Sequence, residues 1–138
     1  MPADHDLSQV ESLLDPSEVI PPTSPLYGPN AQGWAVQKDL HPRLVAVPTS
    51  PESLARLIAH LYKSHLHFAI RGQGFLSTSA KDVLVSMTAF DEFHFDPHAE
   101  VATVGAGQTW GAVHRKLKEV APSYGSTPPF VTVVRGIH

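Results

Sequence analysis

The sequence from residue 67 to residue 79 reads His-Phe-Ala-Ile-Arg-Gly-Gln-Gly-Phe-Leu-Ser-Thr-Ser. Its apolar run, Phe68-Ala69-Ile70, has the length and composition of a buried strand. Two glycines around Gln73 then let the backbone turn tightly and bring its N–H groups close to a ligand. Arg71 and the hydroxyls at positions 77–79 would suit a diphosphate. A bare Gly-x-Gly is more often an ordinary turn, so the elements around it have to decide between the two interpretations.

The segment before this stretch predicts a strand, a helix and a second strand. Leu44-Val45-Ala46-Val47 is a short strand closed by a proline. Ser50-Pro51-Glu52 is typical of a helix start, with an N-cap, a proline in the first turn and an acid beside it. Leucines and Ile58 then recur at helical spacing to about Ser64. Strand, helix and strand within 27 residues form a βαβ unit, whose strands we expect to be parallel.

The segment after the glycine loop predicts three more strands and a helix. Residues 83–87 are apolar, and the runs 93–95 and 101–104 should pair as an antiparallel hairpin. Gly105-Ala106-Gly107 ends the last strand, either lining a ligand cleft or forming a turn with positive φ angles. The helix that follows would present one apolar face, formed by Trp110, Val113, Leu117 and Val120. A further strand begins near residue 130.

The order β-α-β-loop-β-β-β-α predicts an α+β (α/β-like) fold with a mixed sheet and two main helices. A Rossmann domain would instead place a helix directly after the glycine loop. Here residues 80–82 lead into another strand, and Ser77 stands where the third glycine of that motif belongs. Asp91 lies about 20 residues further on, as a ribose-binding acid would. The order of elements nevertheless excludes the Rossmann interpretation.

Prolines divide the chain unevenly, since nine of the thirteen occur at or before Pro51. We therefore interpret residues 1–41 as a Pro-rich arm on the surface and residues 42–138 as the domain. A short helix over residues 7–14 would be marginal unless it docks. Tyr27 and Trp34 are the side chains expected to tie the arm down.

Composition excludes several classes of protein. A net charge of −3 and a pI near 6.3 argue against nucleic-acid binding. No run of about 18 apolar residues indicates a membrane span, and no secretory signal is visible, so the cytoplasm is the default expectation. The chain has no cysteine, and its nine histidines lack ligand spacing, so no metal site is predicted. The sequence contains none of the common hydrolase or nucleotide-triphosphatase motifs.

The ordered set of segments resembles a known family. The segments are Val45-Ala46-Val47-Pro48-Thr49-Ser50, Ala69-Ile70-Arg71-Gly72-Gln73-Gly74, Val83-Leu84-Val85-Ser86-Met87, Phe93 and Val104-Gly105-Ala106-Gly107-Gln108-Thr109-Trp110. Together they are similar to FAD-linked oxidases of the vanillyl-alcohol-oxidase and p-cresol-methylhydroxylase type, closest to fungal berberine-bridge-like oxidases. The resemblance covers about residues 27–124 and implies the first half of an FAD-binding domain.

The resemblance also implies a cofactor and its site. FAD would be held by the backbone of the loop, and the cofactor-binding residues would be Arg71, Gly72, Gln73, Gly74, Phe75, Leu76, Ser77, Gly105 and Gly107. Many relatives carry a histidine bonded covalently to the flavin where this chain has Phe75, so FAD should be bound non-covalently there. The substrate, a small molecule, stays unknown, and no catalytic residue can be named because the family's catalytic base lies beyond the matched half.

Two functions from different classes follow. The chain would be the FAD-binding portion of an oxidoreductase that passes a substrate hydride to FAD, with oxygen as acceptor, and would be inactive as this short chain alone. The alternative is a truncated, non-catalytic half-domain that acts only as a fragment or interaction module. A half-domain would leave sheet edges and an apolar face uncovered, so we expect possible self-association.

Overall fold

The computed structural model describes residues 4–74 and 78–124. The predictions at Phe75, Leu76 and Ser77 and the strand near residue 130 lie outside these residues. The described helices are α1 (Asp4–Leu13), α2 (Tyr27–Ala31), α3 (Pro51–Lys63) and α4 (Trp110–Val120), with 3-10 turns at Pro16–Glu18 and Val36–Lys38. The described strands are β1 (Val19–Ile20), β2 (Leu44–Ala46), β3 (Phe68–Arg71), β4 (Val83–Ser86), β5 (Phe93–Asp96) and β6 (Val101–Val104).

Four strands form a mixed sheet in the order β1-β2-β4-β3. β4 is parallel to both of its neighbours, with Val45 opposite Leu84 on one side and Ala69 opposite Leu84 on the other. β1 adds to β2 in the antiparallel direction. The prediction of parallel strands on either side of α3 is confirmed, and β4 lies between them. The mixed α and β architecture predicted from the order of elements is confirmed as well.

The strands alternate between two cores, one on each face of the sheet. Leu44, Ala46, Val83 and Val85 face α1 and α3, whose buried residues include Val10, Leu57 and Leu61. Val45 and Leu84 point to the opposite face, where they pack with Ile20 and with Ala31 of α2. Alternation on successive residues is what a strand covered on both faces requires.

Both long helices are capped by a side chain, and the cap predicted at Ser50 is confirmed. Ser50 Oγ accepts a hydrogen bond from Ser53 N at 3.1 Å, and Pro51 occupies the first turn of α3. Thr109 Oγ1 accepts from Ala112 N at 3.2 Å at the start of α4. Val113 of α4 is buried, but Val120 is 58% exposed, so only part of the predicted apolar face is covered.

β5 and β6 form a separate antiparallel hairpin, as predicted, with Phe93 opposite Val104 and Asp96 opposite Val101. Residues 97–100 connect them. The hairpin packs beside α4, and the Phe95 ring meets the Tyr124 ring edge-on with centroids 5.4 Å apart.

The N-terminal arm is more deeply integrated than its composition suggested. Val10 and Leu14 belong to the core under α3, and β1 is part of the sheet, so the expectation that residues 1–41 lie on the surface is wrong for these segments. Tyr27 anchors the arm as predicted, because its hydroxyl donates to the Pro42 carbonyl. Trp34 does not, because it is 85% exposed. The domain boundary near Pro42 stays a prediction. None of the described helices is long and apolar enough to cross a membrane.

Candidate functional site

The carboxyl ends of the parallel strands place three loops at one edge of the sheet. β3 leads into residues 72–74, and β4 leads into residues 87–92. The two connections are joined at their start by a hydrogen bond from Met87 N to Arg71 O of 2.8 Å. The end of β6, at Gly105–Gly107, reaches the same edge. Ligands of parallel α/β sheets bind outside this edge, so this loop cluster is the first candidate site.

Both glycine loops singled out in the sequence contact each other. A Cβ atom added to Gly72 would lie 2.9 Å from the Ala106 carbonyl oxygen, so a side chain there would displace one of the two backbones. Gln73 Nε2 donates to the Gly107 carbonyl oxygen. The structure therefore brings together two segments that are 34 residues apart in sequence.

The backbone of the first loop has an unusual conformation and N–H groups that no described residue accepts from. Gly74 has φ of +78°, a left-handed conformation that strongly favours glycine. None of the hydrogen bonds within residues 4–74 and 78–124 is donated by the N–H groups of Gly72, Gln73 or Gly74. Successive N–H groups in such a turn form a concave surface of positive partial charge. Binding of a phosphate by the main chain of this loop stays a prediction.

The Arg71 side chain is not a free cation, because main-chain carbonyls already accept its hydrogen bonds. It is buried, and its guanidinium donates to the carbonyl oxygens of Ala31 and Gln32, both at 3.2 Å, and to that of Asn30. Burial lowers the pKa of Arg71 from its usual value, and the nearby Asp39 carboxylate opposes that shift. An arginine nevertheless stays protonated in proteins. To reach a diphosphate the guanidinium would have to leave these three acceptors, so that contact stays a prediction.

Gly105 and Gly107 are required by close packing of backbones. Gly105 N donates to Glu92 O at 2.9 Å, and Gly107 N donates to Phe90 O at 2.8 Å, so both N–H groups are already used. Neither glycine has a positive φ, which makes the interpretation as a positive-φ turn wrong. A Cβ on Gly105 would lie 2.7 Å from the Phe90 carbonyl carbon, and one on Gly107 would lie 2.8 Å from Thr88 Cα. Their assignment to the cofactor stays a prediction.

We expect Gly105→Ala to lower the free energy of unfolding by about 2 kcal/mol, because the new methyl group overlaps a backbone carbonyl that cannot rotate away. Gly111→Ala is the matched control, since its Cβ would lie 3.8 Å from the nearest atom, in ordinary contact, within α4. Urea unfolding of both variants measures the difference. Equal midpoints for the two variants would show that the residue 90 backbone does not confine Gly105.

A groove of about 370 Å³ opens beside the second loop. It is lined by the first turns of α3, by Met87 and Phe90, and by the hairpin end at Val104–Ala106. Glu92 supplies its only acidic side chain among the described lining residues. The groove is otherwise mainly apolar, so it suits an uncharged part of a ligand.

Gln108 is a site residue that the sequence interpretation missed. Its side chain is buried, and Nε2 donates to the Asp91 carbonyl, while its own N–H donates to Gly105 O at 3.1 Å. Lys116 Nζ reaches the same Asp91 carbonyl at 3.2 Å. These bonds fix the second glycine loop against residues 91–92. Among residues 4–74 and 78–124 no group of three or more acidic or histidine side chains is placed to hold a metal ion.

Comparison with known proteins identifies related domains. A family model described as FAD binding domain matches residues 42–134, which include both glycine loops. An FAD-dependent monooxygenase of Arthrobotrys oligospora is 25% identical over 109 residues, which cover 75% of this chain and 20% of that protein.

Solved structures share the fold at lower identity. Wild-type Phl p 4.0202, a glucose dehydrogenase, superposes with a TM-score of 0.74 at 16% identity, covering 86% of this chain and 27% of that chain. Wild-type BBE-like 1 of Physcomitrella patens gives 0.68 at 20% identity, over 84% and 25% of the two chains. The xylooligosaccharide oxidase of Myceliophthora thermophila C1 gives 0.67 at 17%, over 84% and 25%. The chain thus spans about a quarter of the length of these structures and about a fifth of the length of the monooxygenase.

Proposed function

Because the chain belongs to the FAD binding domain family, we propose that its loop from Arg71 to Ser77 binds the diphosphate of FAD in a flavin-dependent oxidoreductase. FAD would supply the redox chemistry of the site, in which a small-molecule substrate loses a hydride and oxygen is the final electron acceptor. The single observation that carries the proposal is the loop at Gly72–Gly74, whose N–H groups donate to no acceptor among the described residues.

The loop would act through preorganised main-chain donors. The N–H groups after β3 would donate to diphosphate oxygens, and the parallel pairing of β3 with β4 would hold them in place before binding. Glycine at position 72 lets the loop lie directly against the Ala106 carbonyl, where any side chain would separate the two glycine loops. Gln73 would keep both glycine loops together through its bond to Gly107.

The cofactor would be held without a covalent bond at position 75. A phenyl ring offers no nitrogen to attack a flavin, so Phe75 cannot replace a histidine in such a linkage. Denaturing the loaded protein should therefore release all of the flavin into solution.

We also propose self-association through the sheet. β3 is an edge strand of the described sheet, and Ile70 on it is 48% exposed. An apolar side chain on an unpaired edge favours pairing with a second copy.

Titration of the purified chain with FAD, followed by quenching of flavin fluorescence, tests the proposed cofactor. We expect saturable binding with a Kd below about 1 mM, equivalent to more than about 4 kcal/mol of binding free energy. Riboflavin, which lacks the diphosphate, is the matched control ligand and should bind at least about tenfold more weakly. Equal affinities would contradict recognition of the diphosphate by the loop. No saturation by FAD would favour the alternative, a non-catalytic interaction module.

A further inference from the structure

The Arg71 guanidinium lies between the glycine loop and the N-terminal arm. It crosses from the end of β3 to the end of α2 and donates to the carbonyl oxygens of residues 30, 31 and 32. These acceptors precede Arg71 by 39 to 41 residues. One side chain thus connects the arm to the loop.

The acceptors are suited to a guanidinium rather than to any cation. The last carbonyls of a helix have no partner within the helix and carry partial negative charge. A guanidinium is planar and directs its N–H groups to several acceptors at once, whereas a lysine ammonium is a compact point charge on a flexible stem. Substituting lysine keeps the charge at position 71 but cannot reproduce the three bonds.

The same guanidinium supports the loop on its other side. A Cβ added to Gly74 would lie 3.3 Å from both Cζ and Nη1 of Arg71. The guanidinium therefore fills the space where a side chain at position 74 would lie, next to a backbone whose φ is +78°. Removing the guanidinium would leave a space beneath the loop, into which the residue 74 backbone could move.

The arm end of this connection is itself fixed. The Tyr27 hydroxyl donates to the Pro42 carbonyl, and Ala31 is buried with Val45 and Leu84. α2 is consequently attached to the sheet independently of the arginine. Arg71 therefore connects a helix that is fixed to the sheet with the glycine loop.

We propose that Arg71 is a positioning residue that ties the Gly72–Gly74 loop to α2, so that the N-terminal arm forms part of the FAD site. The inference rests on the proposed FAD function and assigns Arg71 a different role from a cation that attracts the diphosphate. The two roles predict different effects of Arg71→Lys. This substitution keeps the charge that would attract the diphosphate, but it removes the bonds that would support the loop.

The test compares Arg71→Lys, Arg71→Gln and wild type, with Arg56→Gln on the exposed face of α3 as the charge control. We expect both Arg71 variants to raise the Kd for FAD at least about tenfold and by similar factors, and the control to leave it unchanged. In the absence of FAD, hydrogen exchange at the Met87 N–H group, which donates to the Arg71 carbonyl where the loop begins, should accelerate at least about tenfold in both variants. A purely electrostatic role would leave that exchange unchanged in Arg71→Lys, which keeps the charge.

Tyr27→Phe provides a milder test, because it removes only the hydroxyl that fixes α2. It should speed exchange at the Met87 N–H group and weaken FAD binding about threefold without any change at Arg71. Wild-type affinity in Arg71→Lys, or unchanged exchange in Tyr27→Phe, overturns the positioning role alone. Absence of FAD binding by wild type overturns the proposed function, and the assignment of the arm to its site falls with it.

Discussion

Gly74→Val is expected to raise the Kd for FAD at least about 100-fold, which corresponds to about 2.8 kcal/mol. A β-branched residue is a strong outlier at the φ of +78° found at this position. Its Cβ would also press on the Arg71 guanidinium at 3.3 Å, which is held by three carbonyls and cannot easily retreat. The backbone has to rotate toward negative φ, and the N–H groups then point away from the diphosphate. Fluorescence titration with FAD measures the effect.

Gly111→Val is the matched control, because a Cβ at Gly111 would lie 3.8 Å from the Arg115 guanidinium, in ordinary contact, and that glycine has no positive φ. It should bind FAD like wild type. Gly74→Ala adds a smaller side chain at the same strained position and should give an intermediate Kd. Circular dichroism separates loss of binding from loss of fold. A folded Gly74→Val protein with wild-type affinity would exclude this loop as the diphosphate site.

The elements with strong local signals were predictable from sequence. α3 begins at Ser50 and α4 at Thr109 because each threonine or serine accepts a hydrogen bond from an N–H group three residues later. The β5–β6 hairpin follows from two alternating runs separated by a short turn. In each case the residues that define the element are neighbours in the chain, so a sequence pattern contains them all.

The arm was misjudged because its structure depends on distant partners. Proline-rich composition restricts local backbone angles but says nothing about burial. Val10 and Leu14 are buried only because α1 docks under α3, and β1, two residues long, is too short for any periodic pattern. Trp34 was expected to be an anchor by residue type, yet it is exposed. Aromatic character alone therefore did not locate the anchors.

The candidate site was likewise predictable from the sequence only in part. Both glycine loops could be identified as unusual turns, but the reasons for their glycines lie in atoms from other segments. Gly105 is confined by the Phe90 carbonyl, and Arg71 finds its acceptors in α2. Gln108 gave no signal, because a buried glutamine that donates to a backbone carbonyl has no characteristic spacing. Contacts between backbones from separate loops are not encoded by any one motif.

Glu18→Ala is expected to lower the free energy of unfolding by about 3 kcal/mol. The Glu18 carboxylate is 2% exposed and accepts hydrogen bonds from Thr49 N and Oγ1, both at 2.6 Å, from Ser53 Oγ at 3.0 Å and from Asp15 N at 3.1 Å. It thereby joins the arm to the start of α3. Truncation removes a buried carboxylate that accepts four hydrogen bonds, and a hydrogen bond to a charged group contributes about 1.5–3 kcal/mol.

Urea unfolding measures the change, with Glu11→Ala on the exposed surface of α1 as the control, expected within about 0.5 kcal/mol of wild type. Glu18→Gln should be intermediate. Its amide oxygen can still accept from Thr49 and Ser53, but its NH₂ group would face the Asp15 N–H, another donor. Wild-type stability in Glu18→Ala would show that the arm does not depend on this carboxylate.

The same carboxylate makes stability depend on pH. Burial alone would raise the pKa of Glu18, but the hydrogen bonds from Thr49, Asp15 and Ser53 outweigh burial and hold the pKa below the usual value of 4.5. A lowered pKa in the folded state means that the ionised form stabilises the fold above pH 4.5, and that this contribution is lost as the pH falls through the lowered pKa. The stability difference between wild type and Glu18→Gln should therefore be largest near pH 7 and shrink below pH 4.5. Urea midpoints of both proteins at a series of pH values measure it, since the other carboxylates contribute equally to each. A difference that stays constant down to acidic pH would show that folding does not lower the pKa of Glu18.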